Sequence, residues 1–230
     1  MSLVVFFAPH PPILLPQTGA PFDRAKVKKT TAALEKMGQE IARIKPEIII
    51  ISSPHPDWGF EVPWYFVKKS GFENQSSKVI LKNQRRQTPA NFRIEPETPT
   101  VYPILTTPDS IQQHYQWGQE IAARINLEKK WLWLASGDMS HRLKEDGPYG
   151  LHPSGKKFDR AFLNLLKEKA VEKILELDPL LIEEAGECGL RSFCLALGAL
   201  EAGGENWQPQ ILSYEAPFGV GYLVARLGPA

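Results

Sequence analysis

Two histidines stand in the same local setting. Pro9-His10-Pro11 follows the apolar, β-branched and aromatic run Leu3–Phe7, and Pro54-His55-Pro56 follows Ile48–Ile51. Imidazole titrates near neutrality and is the commonest protein metal ligand. Flanking prolines fix the backbone, so each ring is held before an ion arrives. Either histidine alone reads as a residue packed beneath a rigid turn; the pair reads as one metal site. A third sequence of the same kind is Ser136-Gly137-Asp138-Met139-Ser140-His141, after the apolar run Trp131–Ala135. Asp138 and His141 are three apart, so a helical turn puts both on one side, with Asp138 orienting His141 for proton transfer. The plainer reading makes Asp138 a cap and His141 an exposed residue. In Gly186-Glu187-Cys188-Gly189-Leu190-Arg191 a carboxylate and a thiol are adjacent. Either could complete a two-histidine site, the carboxylate favouring non-haem Fe(II) and the thiolate Zn(II). Otherwise Glu187 is a first-turn anion and Cys188 a small apolar side chain. Glu215 is a further carboxylate at a strand end. His152 sits in a polar loop at a pocket rim, and His114 reads as solvated on a helix.

These residues need a frame that brings strand ends together. Leu3–Phe7, a helix over about Thr30–Ile44 and Ile48–Ile51 make a βαβ unit, whose strands lie parallel in one sheet. Trp131–Ala135 is a third buried strand. Helices are expected at Ile111–Ile125, Lys156–Leu175 and Leu190–Glu201, and short strands at Trp64–Val67 and Val79–Leu81. Asn83–Pro99 reads as a loop. Ile211–Tyr214 and Gly221–Ala225 are closing strands around Ala216-Pro217-Phe218-Gly219. The expected fold is therefore α/β, one domain over residues 1–230, with a central, mostly parallel sheet flanked by helices. In such sheets ligands collect at the C-terminal ends of the strands, which is where the histidines fall.

Composition narrows the partners. The 230 residues carry 27 Lys and Arg against 26 Asp and Glu, a formal charge of +1. That balance offers no basic stripe for a nucleic acid and no attraction to an anionic membrane. A small neutral or weakly acidic ligand suits it better. No apolar run nears the ~20 residues that span a bilayer, and the N-terminus has no signal-peptide pattern, so a cytoplasmic location is expected. Cys188 and Cys194 are six apart, a spacing that separates them around a helix, so no disulfide is expected. Gly-rich phosphate loops, Cys-x-x-Cys pairs and Gly-x-Ser-x-Gly elbows are absent, which argues against nucleotide hydrolysis, thiol exchange and α/β-hydrolase chemistry. Proline is over-represented at 20 residues, and several of these bracket His10 and His55.

Ala8-Pro9-His10-Pro11-Pro12, Ser53-Pro54-His55, Ser136 to Leu143, Gly186 to Arg191 and Tyr214 to Tyr222 occur in this order. Together they resemble the class III extradiol ring-cleavage dioxygenase (LigB-like) superfamily, most closely its Memo-related bacterial branch, often fused or adjacent to an AMMECR-type domain. The resemblance implies a mononuclear metal at the sheet edge, with His10 and His55 as ligands and His141 as acid/base. It puts the dioxygenase glutamate on Glu187, with Cys188, the Memo-type position, as the alternative third ligand. Pro12, Glu215 and His152 are assigned to the substrate side. The implied cofactor is Fe(II), with Zn(II) as the alternative, and the implied substrates are a catechol-type diol and O₂. Two other classes share the constellation: a Memo-type metal- or peptide-binding protein without turnover, and a Zn-dependent hydrolase. An AMMECR-type partner protein and a homo-oligomer complete the expected associations.

Overall fold

The computed structural model describes residues 3–72, 87–93, 100–124, 129–204 and 206–229. Six strands form one sheet: β1 (Leu3–Ala8), β2 (Ile48–Ser53), β3 (Thr100–Leu105), β4 (Trp131–Ser136), β5 (Gln208–Glu215) and β6 (Tyr222–Gly228). Their spatial order is β3-β2-β4-β1-β6-β5. The first four are mutually parallel, and β6 and β5 add antiparallel at one side. The expected α/β domain with a mostly parallel sheet is therefore present, and the two closing strands form the expected hairpin.

The apolar runs are continuous because helices cover both faces of the sheet. Alternation still sorts the side chains. Leu3, Val5 and Phe7 enter one core with Ile48, Ile50, Trp131 and Trp133. Val4, Phe6 and Ala8 enter the other with Ile49, Ile51, Leu132 and Leu134. The second face is closed by α2 (Lys28–Ile44), which buries Leu34, Met37 and Ile41 at helical spacing, and by α3 (Trp58–Lys69); a short α1 (Pro21–Lys26) precedes them. The first face is closed mainly by α4 (Ile111–Ala123), α5 (Pro153–Lys167) and α8 (Leu190–Ala202), with the short α6 (Val171–Leu175) and α7 (Pro179–Ala185) between the last two.

Three expectations change. Trp64–Val67 is helical, within α3, and not a strand. Phe60, Trp64 and Val67 lie at i, i+4 and i+7 and are all buried, a helical stripe hidden in a β-prone aromatic run. The Lys156–Leu175 helix is two helices, broken where Lys169 takes a left-handed conformation at φ 58°. His114 is fully buried: its Nε2 accepts from the Thr107 amide (3.3 Å), and its ring meets Trp117 edge-on. The expected strand at Val79–Leu81, the end of the helix at Ile125 and most of the Asn83–Pro99 loop lie outside the described residues. Among the described residues, no helix is long and apolar enough to cross a membrane.

Candidate functional site

Register assembles the site. β4 lies between β1 and β2, with Ala8 opposite Ser136 and Ser52 opposite Ala135. The three strands thus end level, at Ala8, Ser53 and Ser136. Two residues beyond each end stand His10, His55 and Asp138. Strand ends ~4.8 Å apart carry these side chains to one point.

Each turn is pinned. The His10 amide donates to Asp138 Oδ1 (3.1 Å), and the Gly137 amide donates to the Ala8 carbonyl (3.0 Å). Ser53 Oγ accepts from the His55 amide (3.1 Å), while the Thr106 amide donates to the Ser53 carbonyl (2.9 Å). The His10 ring is held through Nδ1 and Ser136 Oγ, 3.0 Å apart. Fixing one ring nitrogen orients the other, as at metal-binding histidines generally. His10 Nε2 then faces Cys188 Sγ at 3.6 Å and Asp138 Oδ2 at 3.9 Å. The rings of His10 and His55 meet edge to face, with centroids 5.1 Å apart.

Cys188 arrives from the far side, in the loop between α7 and α8. Gly186 ends α7 in the left-handed conformation, at φ 62°. The amides of Cys188 and Gly189 donate to the Asp138 carbonyl at 3.4 and 3.0 Å, and the Asp138 amide points at Cys188 Sγ at 3.3 Å. The start of α8 is locked to β2 by Ser192 Oγ, which donates to the Ser52 carbonyl (2.9 Å), beside Trp133 Nε1 donating to Ser52 Oγ (2.8 Å). His10, His55 and Cys188 each offer a donor atom within 4.8 Å of the other two, and so do Asp138, His141 and Cys188. Two imidazoles and a thiol converging this way fit a single transition-metal ion. The fit is chemical as well as spatial, because burial and then the neighbouring His55 hold His10 down to about 3, an uncharged imidazole with a free lone pair.

Burial and the Asp138 carboxylate push the Cys188 thiol well above its ordinary range. A metal ion bound there would displace that proton, so its uptake would release one. Asp138 is raised to about 6 by burial, against the pull of His141. Burial lowers His141, with Asp138 opposing it. The His141 Nε2 atom is buried and has no hydrogen-bond partner among the described residues, and its ring lies against Tyr149 with centroids 4.9 Å apart.

These groups border a cavity of about 380 Å³. His10, His55, Asp138 and His141 line it on one side. Pro11, Pro12, Trp58, Tyr149, Val220 and Tyr222 wall the rest. Of the residues assigned to the substrate side, only Pro12 borders it. Glu215 instead accepts from the Thr30 amide and hydroxyl at 2.8 and 2.7 Å, tying β5 to α2. His152 caps α5, its Nδ1 accepting from the Ser154 amide at 3.3 Å. Glu187 turns away from the histidines. Its Oε2 accepts from the Leu190 amide (2.5 Å), and it borders a separate cavity with Ile182 and Arg191. Burial raises its carboxyl to about 7.

Sequence reasoning missed Trp58 and Tyr149, which no motif marks, and Asp159. Asp159 is buried on α5 and accepts from the Ser140 amide (2.8 Å) and from the Tyr214 hydroxyl, so it braces the turn that carries His141. Its signal was present: an acidic residue on the apolar stripe of Phe158 and Phe162.

An α/β sheet with a two-histidine site at its parallel strand ends is thus the class that fold and geometry define. Residues 56–225 match the model of the catalytic LigB subunit of aromatic ring-opening dioxygenase. The chain belongs to this LigB family. It is 31% identical to Protein CA_C1420 of Clostridium acetobutylicum over 99% of its own length and 58% of that protein's. The chain therefore spans little more than half of that relative. The crystal structure of uncharacterized protein JW3007 from Escherichia coli K12 aligns with a TM-score of 0.48 at 12% identity, over 97% of this chain and 98% of that one.

Proposed function

We propose that this chain is a metal-dependent dioxygenase that opens the ring of a catechol-type diol with O₂. His10, His55 and Cys188 would hold the metal, and His141 would take a proton from the diol. A bound Fe(II) supplies the oxygen chemistry and a chelation point for the two hydroxyls. The protein's part is orientation, water exclusion and proton handling. His141 suits that work because burial keeps its ring neutral. Asp138 lies within 4.8 Å of both His141 and Cys188, a carboxylate beside the imidazole that receives the proton. Trp58, Tyr149 and Val220 give the cavity an apolar wall against which a diol ring can pack.

The observation that carries this reading is the buried Nε2 of His141, without a hydrogen-bond partner among the described residues, on the cavity that His10 and His55 also border. The test is Fe(II) reconstitution under anaerobic conditions, followed by oxygen-uptake measurements against a panel of catechols. Uptake that requires iron, diol and His141 supports the proposal, and its absence across the panel removes it.

Cys188 favours a second reading. A thiolate beside two imidazoles is a Zn(II) donor set. On that reading the chain is a Memo-type metal-binding protein without turnover, or a Zn-dependent hydrolase. Zinc retained tightly through Cys188, with no oxygen uptake, is the result that selects it.

A further inference from the structure

Among the described residues, two exposed large apolar side chains, Trp58 (45%) and Tyr149 (60%), border the cavity of His10 and His55. Pro148 and Val220 continue the wall, and Tyr222 adds a phenol. Among the described residues no Lys or Arg borders this cavity. The charged group that does border the cavity, Asp138, is a carboxylate.

We propose that the cavity selects uncharged aromatic diols and discriminates against diols carrying a ring carboxylate. The inference rests on the proposed dioxygenase reading and deepens it. A diol engages the site through its two hydroxyls, which leaves any ring substituent facing Trp58, Tyr149, Pro148 and Val220. An alkyl or unsubstituted ring gains apolar contact there. A carboxylate would lose its hydration against a wall whose described residues include no Lys or Arg, and would lie beside the Asp138 carboxylate.

The test uses the Fe(II)-reconstituted protein and initial rates of oxygen uptake with methylcatechol and with dihydroxybenzoate, at about pH 7.5, where the benzoate is ionised. The expected result is a kcat/KM about tenfold or more in favour of methylcatechol. Pro148→Lys places an ammonium at an exposed wall position and, with folding checked by circular dichroism, is expected to narrow that ratio chiefly through KM for dihydroxybenzoate. Equal rates, or preference for dihydroxybenzoate, overturn the inference while the dioxygenase reading stands. An unchanged ratio in Pro148→Lys overturns its electrostatic basis. Consumption of neither diol while another catechol is taken up overturns the inference alone; no uptake with any catechol overturns the dioxygenase reading, and the inference with it.

Discussion

Gly137 and Gly189 meet backbone to backbone: a Cβ on Gly137 would lie 2.1 Å from the Cα of Gly189. This contact lets the loop before α8 press against the end of β4, which is how Cys188 reaches His10. Any side chain at Gly137 must push the two segments apart. Gly137→Ala is expected to destabilise the protein by roughly 1–3 kcal/mol, the usual cost of overpacking. It should also weaken metal binding, because Cys188 moves with the loop. Urea denaturation and a metal titration of the same preparation check both, and a variant with unchanged stability would show that the loop yields freely.

Cys188 and Glu187 separate as ligand candidates by substitution. Cys188→Ser is expected to weaken Zn(II) binding by more than about 100-fold, the upper range already lost when only an outer partner of a ligand is removed. Glu187→Gln keeps an oxygen for the Leu190 amide and should bind within a few-fold of the parent. Competition against a chelator of known affinity measures both. The reverse pattern would assign the site to Glu187. Affinity for either metal should rise with pH, because the thiol proton is released on binding.

His141→Gln is expected to lower kcat by about 10²–10⁴-fold, the usual worth of a general acid or base. Metal content should be unchanged. Steady-state oxygen uptake at saturating diol, with metal analysis of the same sample, separates the two effects. A variant that loses its metal would make His141 a ligand.

Asp159 gives a pH-dependent signature. Burial raises its carboxyl to about 6, against the pull of the hydrogen bonds from Tyr214 and Ser140. An unfolded chain would hold it at about 3.9. Between these values the folded state binds more protons than the unfolded one. Its contribution to stability is therefore most favourable below about pH 4, falls as pH rises, and levels off above about pH 6. Two pKa units correspond to about 3 kcal/mol. Asp159→Asn removes this step while keeping an acceptor for the Ser140 amide. Denaturation of metal-free protein across this range should show the parent losing stability relative to the variant as pH rises. Parallel curves would mean that Asp159 stays ionised throughout.

Much of the sheet was legible because its strands are buried on both faces and therefore read as unbroken apolar runs. β1, β2 and β4 carried that signal, whereas the half-exposed β5 of the closing hairpin was marked by the Ala216-Pro217-Phe218-Gly219 turn that follows it. The strand ends were equally plain, since Pro9, Pro54 and Gly137 stop the runs just before His10, His55 and Asp138. What failed was local preference overridden by packing. Trp64–Val67 is rich in β-formers, yet it is helical because Phe60, Trp64 and Val67 together cover the sheet. His114 looked polar among glutamines, yet the Thr107 amide satisfies it in the interior. The directions of Glu187 and Cys188 depended on a single cap, the bond from the Leu190 amide to Glu187, which spacing cannot reveal. Trp58 and Tyr149 reach the cavity from loops and helix starts remote in sequence, and only the folded chain brings them together.

The central claim is that the level ends of β1 and β2 place His10 and His55 on one metal ion. Metal analysis of the parent and of the His10→Ala, His55→Ala double variant, with circular dichroism on both, tests it most directly. One ion per chain in the parent, and none in a folded double variant, is the expected result. Full occupancy in the double variant would contradict the claim.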